Sequence, residues 1–120
     1  MKKEIAKIWC EALRSGKYKQ GKHYLHKKYS NENEFFCCLG VLCDIAKNHI
    51  KLDIGKAGSN YIIYDGESSS LPKSVMEWSE IKSDLGECIN PITSLVHMND
   101  LMYESFDKIA DFIESNYKKL

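Results

Sequence analysis

The run FFCCLGVLCDIA, Phe35 to Ala46, constrains the fold more than any other stretch of this chain. Cys38, Leu42, Ile45 and Ala46 share one helical face, and Cys37, Val41 and Asp44 follow on a neighbouring one. The spacing predicts a helix from about Phe35 to Asn48, apolar around most of its circumference, which is the pattern of a central buried helix. Gly40 costs such a helix roughly 1 kcal/mol relative to alanine. Its expected use is close approach of another backbone or of a ligand. Asp44, an acid in apolar surroundings, needs a cationic partner, Arg14 or a lysine, or a polar pocket to face.

A chain of 120 residues can bury a core of this kind within one domain, residues 1–120, without disulfide or metal staples. Its five cysteines, an odd count with two adjacent, argue for reduced thiols rather than a disulfide framework. The opening MKKEIAKIWCEALRSGK has a basic tip but no apolar core segment, because Lys7 and Glu11 interrupt it, and no run approaches the length of a membrane span. A cytoplasmic protein without membrane contact is therefore expected. Seventeen basic and seventeen acidic side chains cancel, so the molecule as a whole has no strong field for a nucleic-acid backbone. The charge is uneven, however. KYKQGKHYLHKK, residues 17–28, is lysine-rich and free of acids, whereas acids dominate from Asp65 to Glu87. Most such strips are solvated surface, yet this one interleaves lysines with aromatic and imidazole rings.

Other segments surround the central one. Ile5, Ile8, Trp9, Ala12 and Leu13 line one face of a first helix that Ser15-Gly16 stops. Between Ile50 and Leu71, YIIY reads as a strand, with IKLDI at residues 50–54 as hairpin partner and DGESSS as a mobile loop. Leu71-Pro72 starts a helix carrying Val75 and Trp78, and Asn90-Pro91 repeats the start signal, with Asn90 as N-cap. Phe106, Ile109, Ala110, Ile113 and Tyr117 form the last helix, capped by Ser105 and favoured by Asp107 in its first turn. The fold class expected is α+β, mainly α: a compact domain of about five helices with a small β-hairpin inserted near the middle.

The chemistry on offer is sparse. Cys37 or Cys38 near a helix start could act as a nucleophile, with His97 as base, Asn99 or Asp100 to orient it and Gln20 as an oxyanion donor. Thiols inside an apolar helix are, however, more often inert packing. The C-C-x4-C spacing does not suit a structural zinc site, and His23 with His26 supplies only half of one, so no metal and no cofactor is expected. No glycine pattern cradles phosphates. A recognition helix carrying Asp107, Asp111 and Glu114 argues against DNA binding. What remains is polar residues at the ends of apolar helices: Tyr18, Gln20 and Gly21 after the first, Asn99-Asp100 before the last, and Asp44 within the central one. Asn and Asp at such junctions commonly cap or turn.

In order, WCEALRSGKYKQG, FCCLGVLCDIA, LPKSVMEW, HMND and SFDKIADFIE cover nearly the whole chain. This set resembles a family of small, mostly uncharacterised proteins common in bacteriophages and prophages, whose CCLGVLCD core is fairly specific. The family's pattern has no need of histidine at position 97, which weakens the Cys-His arrangement. The resemblance implies a phage-type accessory protein, in the host-cell cytoplasm if phage-encoded. By analogy with other accessory proteins that counter host defences, a non-enzymatic binder sequestering a small nucleotide-like signalling ligand is expected. Its candidate contacts are Arg14, Tyr18, Gln20, Lys22, Tyr24, Asp44, Asn99, Asp100 and Ser105, since aromatic faces can stack on a base and lysines can meet phosphates. The alternatives are a cysteine-dependent enzyme using Cys37 or Cys38, and a module that inhibits a host defence protein. A homo-oligomer is compatible with each.

Overall fold

The computed structural model describes residues 1–30 and 32–120. Among them the helices are α1 (Lys3–Arg14), α2 (Cys38–Ala46), α3 (Lys73–Ser79), α4 (Leu95–Asp100) and α5 (Phe106–Asn116). The strands are β1 (His26–Lys28), β2 (Glu34–Phe36), β3 (Ile54–Ala57), β4 (Tyr61–Tyr64), β5 (Glu87–Cys88) and β6 (Thr93–Ser94). The domain is mixed α+β.

Helix α2 is the centre of the fold. Cys38, Leu39, Val41, Leu42, Cys43 and Ala46 are all fully buried, and the helix packs against α1, α3, α4 and strand β2. It is shorter than its apolar pattern, because Phe35 and Phe36 belong to a strand. Cys37 is extended, and its Sγ accepts the Gly40 N–H at 3.4 Å as the helix cap. Helix α1 buries Ile5, Ala6, Trp9, Cys10 and Leu13 and lies along α5, which buries Phe106, Ile109, Ala110 and Ile113. The Trp9 indole N–H donates to the Cys38 carbonyl at 2.9 Å, which satisfies a polar group within the core.

The hairpin expected near the middle is present as β3–β4, but of IKLDI only Ile54 enters it. It is also half of something larger. An antiparallel sheet runs β2-β1-β4-β3, drawing two strands from the segment between the first helix and the central one. That segment has little apolar periodicity because only one face of a three-residue strand is buried. Lys19 to Gly21 runs alongside β2, with Gly21 N–H donating to the Phe36 carbonyl and Phe36 N–H to the Lys19 carbonyl.

The DGESSS stretch turns tightly. Tyr64 and Glu67 exchange backbone hydrogen bonds, and the Asp65 carboxylate accepts from the Asp53 N–H and the Ser74 hydroxyl, which holds its pKa below the usual carboxylate range. Pro72 occupies the position just before α3 and makes no side-chain capping bond. Asn90-Pro91 does not start a helix. It forms the turn of the β5–β6 hairpin, with a cis peptide bond, and Ser94 instead caps α4 by accepting the His97 N–H. Ser105 caps α5 through the Lys108 N–H. None of the described helices is long and apolar enough to cross a membrane.

Candidate functional site

Three of the polar residues singled out in the sequence converge. Asn99 is fully buried at the end of α4. Its Oδ1 accepts from Gln20 Nε2 at 2.9 Å and from the Cys38 N–H at 3.2 Å, and its Nδ2 donates to the Gly21 carbonyl and to Asp100 Oδ1, both at 2.8 Å. Gln20 Nε2 also donates to the Glu104 carbonyl, and Asp100 Oδ1 accepts the His23 N–H. Every polar atom of the Asn99 amide thus has an internal partner. The node fastens the segment leaving α1 to the start of α2 and the end of α4, and its amide has no bond to spare for a ligand.

The remaining candidates are dispersed. Arg14 forms ion pairs of 2.7 Å with Asp111 and Glu114, binding α1 to α5 on the surface. It is not the partner of Asp44. That acid accepts the Tyr18 hydroxyl at 2.6 Å and pairs with Lys47 at 2.7 Å, and burial together with Asp44 holds the Tyr18 phenol protonated. Ser105 is occupied as a cap. Lys22 rests over the exposed Tyr103 ring, 3.1 Å from its centroid, and Tyr24 stacks on Tyr61 at 4.3 Å. Of the nucleotide contacts expected from the sequence, Lys22 and Tyr24 alone contribute a cation or an aromatic ring to an open surface that no cap, ion pair or core bond already claims.

The thiols are inert in this environment. All five cysteines are buried and free. Burial pushes Cys37 up to about 12 and Cys10 up to about 11, and raises Cys38 and Cys43 well above an ordinary thiol. The thiolate is the nucleophile, so neither Cys37 nor Cys38 is activated at neutral pH. His97, the base of the hypothetical arrangement, is exposed beside Glu87, Ile92 and Ser94. His23 and His26 do not share a site, and no group of three or more potential metal ligands lies together among the described residues. In the native protein at neutral pH, a thiol reagent such as a dithiobis-nitrobenzoate is expected to react negligibly over minutes. All five thiols should titrate once denaturant is added. Rapid modification of Cys37 or Cys38 in the folded state would restore the enzymatic alternative.

One buried constellation escaped the sequence. His26 on β1 is hydrogen-bonded at both ring nitrogens: Nδ1 lies 2.9 Å from the Tyr64 hydroxyl and Nε2 lies 2.9 Å from Glu34 Oε1. A carboxylate can only accept, so Nε2 carries the proton and Nδ1 accepts from Tyr64. Desolvation lowers the His26 pKa, which keeps the ring neutral, and the ring stacks on Phe36 at 4.0 Å. Tyr64 and His26 are buried, so this chain of hydrogen bonds ties β2, β1 and β4 together from the core side and reaches solvent only at its Glu34 end, where the side chain is 40% exposed. Only strand alternation across HKK, EFF and YIIY, read together, would have aligned its three members.

The opposite face of the same sheet is different. Pairing of Lys27 with both Phe35 and Tyr61 puts these three in one row across β2, β1 and β4, with Ala57 next on β3. Their side chains lie on the face away from His26, Phe36 and Tyr64, because successive residues alternate. Phe35, Lys27 and Tyr61 are half-buried, and no acidic residue takes an outward-facing paired position among the described strands of this sheet. Lys27 Nζ sits 5.1 Å from the Tyr24 centroid and Lys19 Nζ 6.0 Å from that of Phe35, against which Tyr29 packs edge-on. Gly21 lies so close to this residue that a Cβ there would come within 2.9 Å of Phe35 Cβ. The result is a surface of rings and lysines. It contains Tyr24, which the sequence singled out, and Lys19, Lys27, Phe35 and Tyr61, which it did not.

Two other surfaces stand apart from this one. A groove of about 350 Å³ between α1 and α5 is lined by Ala6, Cys10 and Tyr117 together with the charged residues Lys3, Lys7, Glu11, Arg14 and Glu114. The tip of the β5–β6 hairpin exposes Ile89 and Ile92 to 87% and 91%. In the groove Arg14 is already paired with Glu114, and the hairpin tip offers no aromatic ring.

No curated protein and no solved structure matches the chain significantly. One family does match, and it runs through the central helix, the sheet and the polar node alike. Over residues 1–117 the chain belongs to the family described as a domain of unknown function, DUF8296.

Proposed function

We propose that this protein is a phage-type accessory protein that binds, without turnover, a small nucleotide-like ligand and so withholds it from a host defence pathway. The observation that carries the reading is the outward row Phe35–Lys27–Tyr61, with Tyr24 stacked at one end and Lys19 at the other. Rings offer stacking surface to a base, and lysines offer charge to a phosphate. Lys27 rests over a ring, an exposed cation–aromatic contact of about 0.5–1 kcal/mol, and Lys19 lies over another while also donating to Asn33 Oδ1 at 3.2 Å. A stacked base contributes about 1–3 kcal/mol, so a ligand can displace the lysine from the ring and then use it as a phosphate partner. Buried, protonated thiols supply no nucleophile, which favours binding over catalysis.

Titration calorimetry against a panel of signalling nucleotides, with mass spectrometry of the recovered ligand, tests this. Micromolar or tighter binding is expected with the ligand recovered unchanged. Tyr61→Ala and Phe35→Ala should each weaken it about tenfold. Absence of heat with every nucleotide, or binding indifferent to both substitutions, would reject this site.

A further inference from the structure

We infer that the ligand engaging the whole outer row is a dinucleotide-sized phosphodiester, with one base at Phe35, the other at the Tyr24–Tyr61 pair, and the bridging phosphate over Lys27. This rests on the nucleotide-binding reading above and narrows it. Phe35 and Tyr61 both pair with Lys27 from opposite sides, so they stand two strand spacings apart, about 10 Å. Aromatic rings interact at centroid separations of about 4.5–7 Å, so a base stacked on one centre is out of reach of the other. A mononucleotide therefore uses half of the surface. Two bases joined by one phosphate use all of it, because the phosphate between them falls at the row position of Lys27, whose Nζ leaves the Tyr24 ring to meet it. Lys19 stands at the Phe35 end and supplies charge to a terminal phosphate there.

The Gly21 contact fits the same arrangement. Because the bare Gly21 backbone lies against the Phe35 Cβ, the Phe35 ring leaves the sheet beside Lys19 with no side chain from position 21 between them. On the other side Tyr24 and Tyr61 stack at 4.3 Å and 29°, so each covers one face of the other and a base meets the free outer face of the pair.

The test compares adenosine monophosphate, the 5′-phosphorylated adenylyl dinucleotide, the same dinucleotide with an uncharged methylphosphonate linkage, and an eight-nucleotide single strand. Each is titrated into the native protein and into Lys27→Gln, with thermal melts to confirm that the variant is folded. The dinucleotide is expected to bind about tenfold or more tighter than the monophosphate, and to lose that gain with the neutral linkage or in Lys27→Gln. Equal affinity for monophosphate and dinucleotide would overturn the inference while leaving the nucleotide reading intact, as would a gain untouched by both changes. An eight-nucleotide strand binding more than tenfold tighter than the dinucleotide would replace it with single-strand binding. No binding of any of the four would remove the parent reading as well.

Discussion

Gly40→Ala is expected to destabilise the protein by about 3 kcal/mol or more, a substantial share of the roughly 5–15 kcal/mol that holds an ordinary domain folded. A Cβ at this position would overlap the Leu25 carbonyl oxygen and lie 2.5 Å from its carbon. Those are backbone atoms, and they are held. The same carbonyl accepts the Cys37 N–H at 3.3 Å, the Leu25 N–H donates to the Ser68 carbonyl, and the Leu25 side chain is fully buried. No rotamer change relieves the contact, so α2 and the chain entering β1 must separate. The opposing local effect has a known sign, since alanine favours an isolated helix over glycine by roughly 1 kcal/mol. A measured loss therefore reports on the tertiary contact alone. Gly55→Ala on β3 is the control: its Cβ would meet Ile63 Cγ1 at 3.6 Å, an ordinary contact, and a change within about 0.5 kcal/mol is expected. Urea melts followed by circular dichroism separate the two, and a Gly40→Ala protein as stable as the native one would disprove the close approach.

This glycine is legible in the sequence because a helix that tolerates it must gain something in return, and the alternatives are a backbone or a ligand. The backbone is what lies there. The central helix, α1 and α5 are legible for a related reason: each buries a face at helical period, and Ser105 announces the last of them. The sheet is not. Strands β1 and β2 are three residues each, too short for alternation to register. Phe35 and Phe36, adjacent to the apolar residues of α2, read as more of the same helix although they point to opposite faces of a strand. Asn90-Pro91 carries the signal of a helix start and serves a hairpin turn, because a proline fixes its own backbone without deciding the conformation of the residues beyond it. The candidate site is legible only in composition. The lysine-rich, ring-rich strip is real, but which rings share a face depends on the pairing of β1 with β2 and with β4, the last of them far along the chain. Asn99 stands out in the sequence as a polar residue at a helix junction, and the structural role it takes there is the one that its type most often takes.

Asn99→Ala is expected to cost about 2–4 kcal/mol, because it strands the buried Cys38 N–H and removes the partner of the Gly21 carbonyl. Asn99→Asp separates this hydrogen-bonding account from a simple cavity. The isosteric carboxylate keeps the acceptor facing Gln20 and Cys38, but sets its second oxygen against the Gly21 carbonyl and Asp100 Oδ1, each 2.8 Å from the present donor. Burial and two facing oxygens raise the pKa of the introduced carboxyl above its unfolded value. A group shifted in that direction favours the folded state when protonated, and the benefit is lost as the pH rises through its folded pKa. The melting temperature of Asn99→Asp should therefore approach that of the native protein on acidification from about pH 7 to pH 4, whereas the Asn99→Ala deficit should stay constant across the same range. Parallel pH dependence in the two variants would mean that the amide's donors do not matter. The consequence extends to the outer sheet face. Asn99 holds the Gly21 carbonyl, and Gly21 in turn is hydrogen-bonded along β2 and lies against Phe35. A loosened node frees Lys19 and the Phe35 ring from their alignment, so in Asn99→Asp any nucleotide affinity should return with stability as the pH falls.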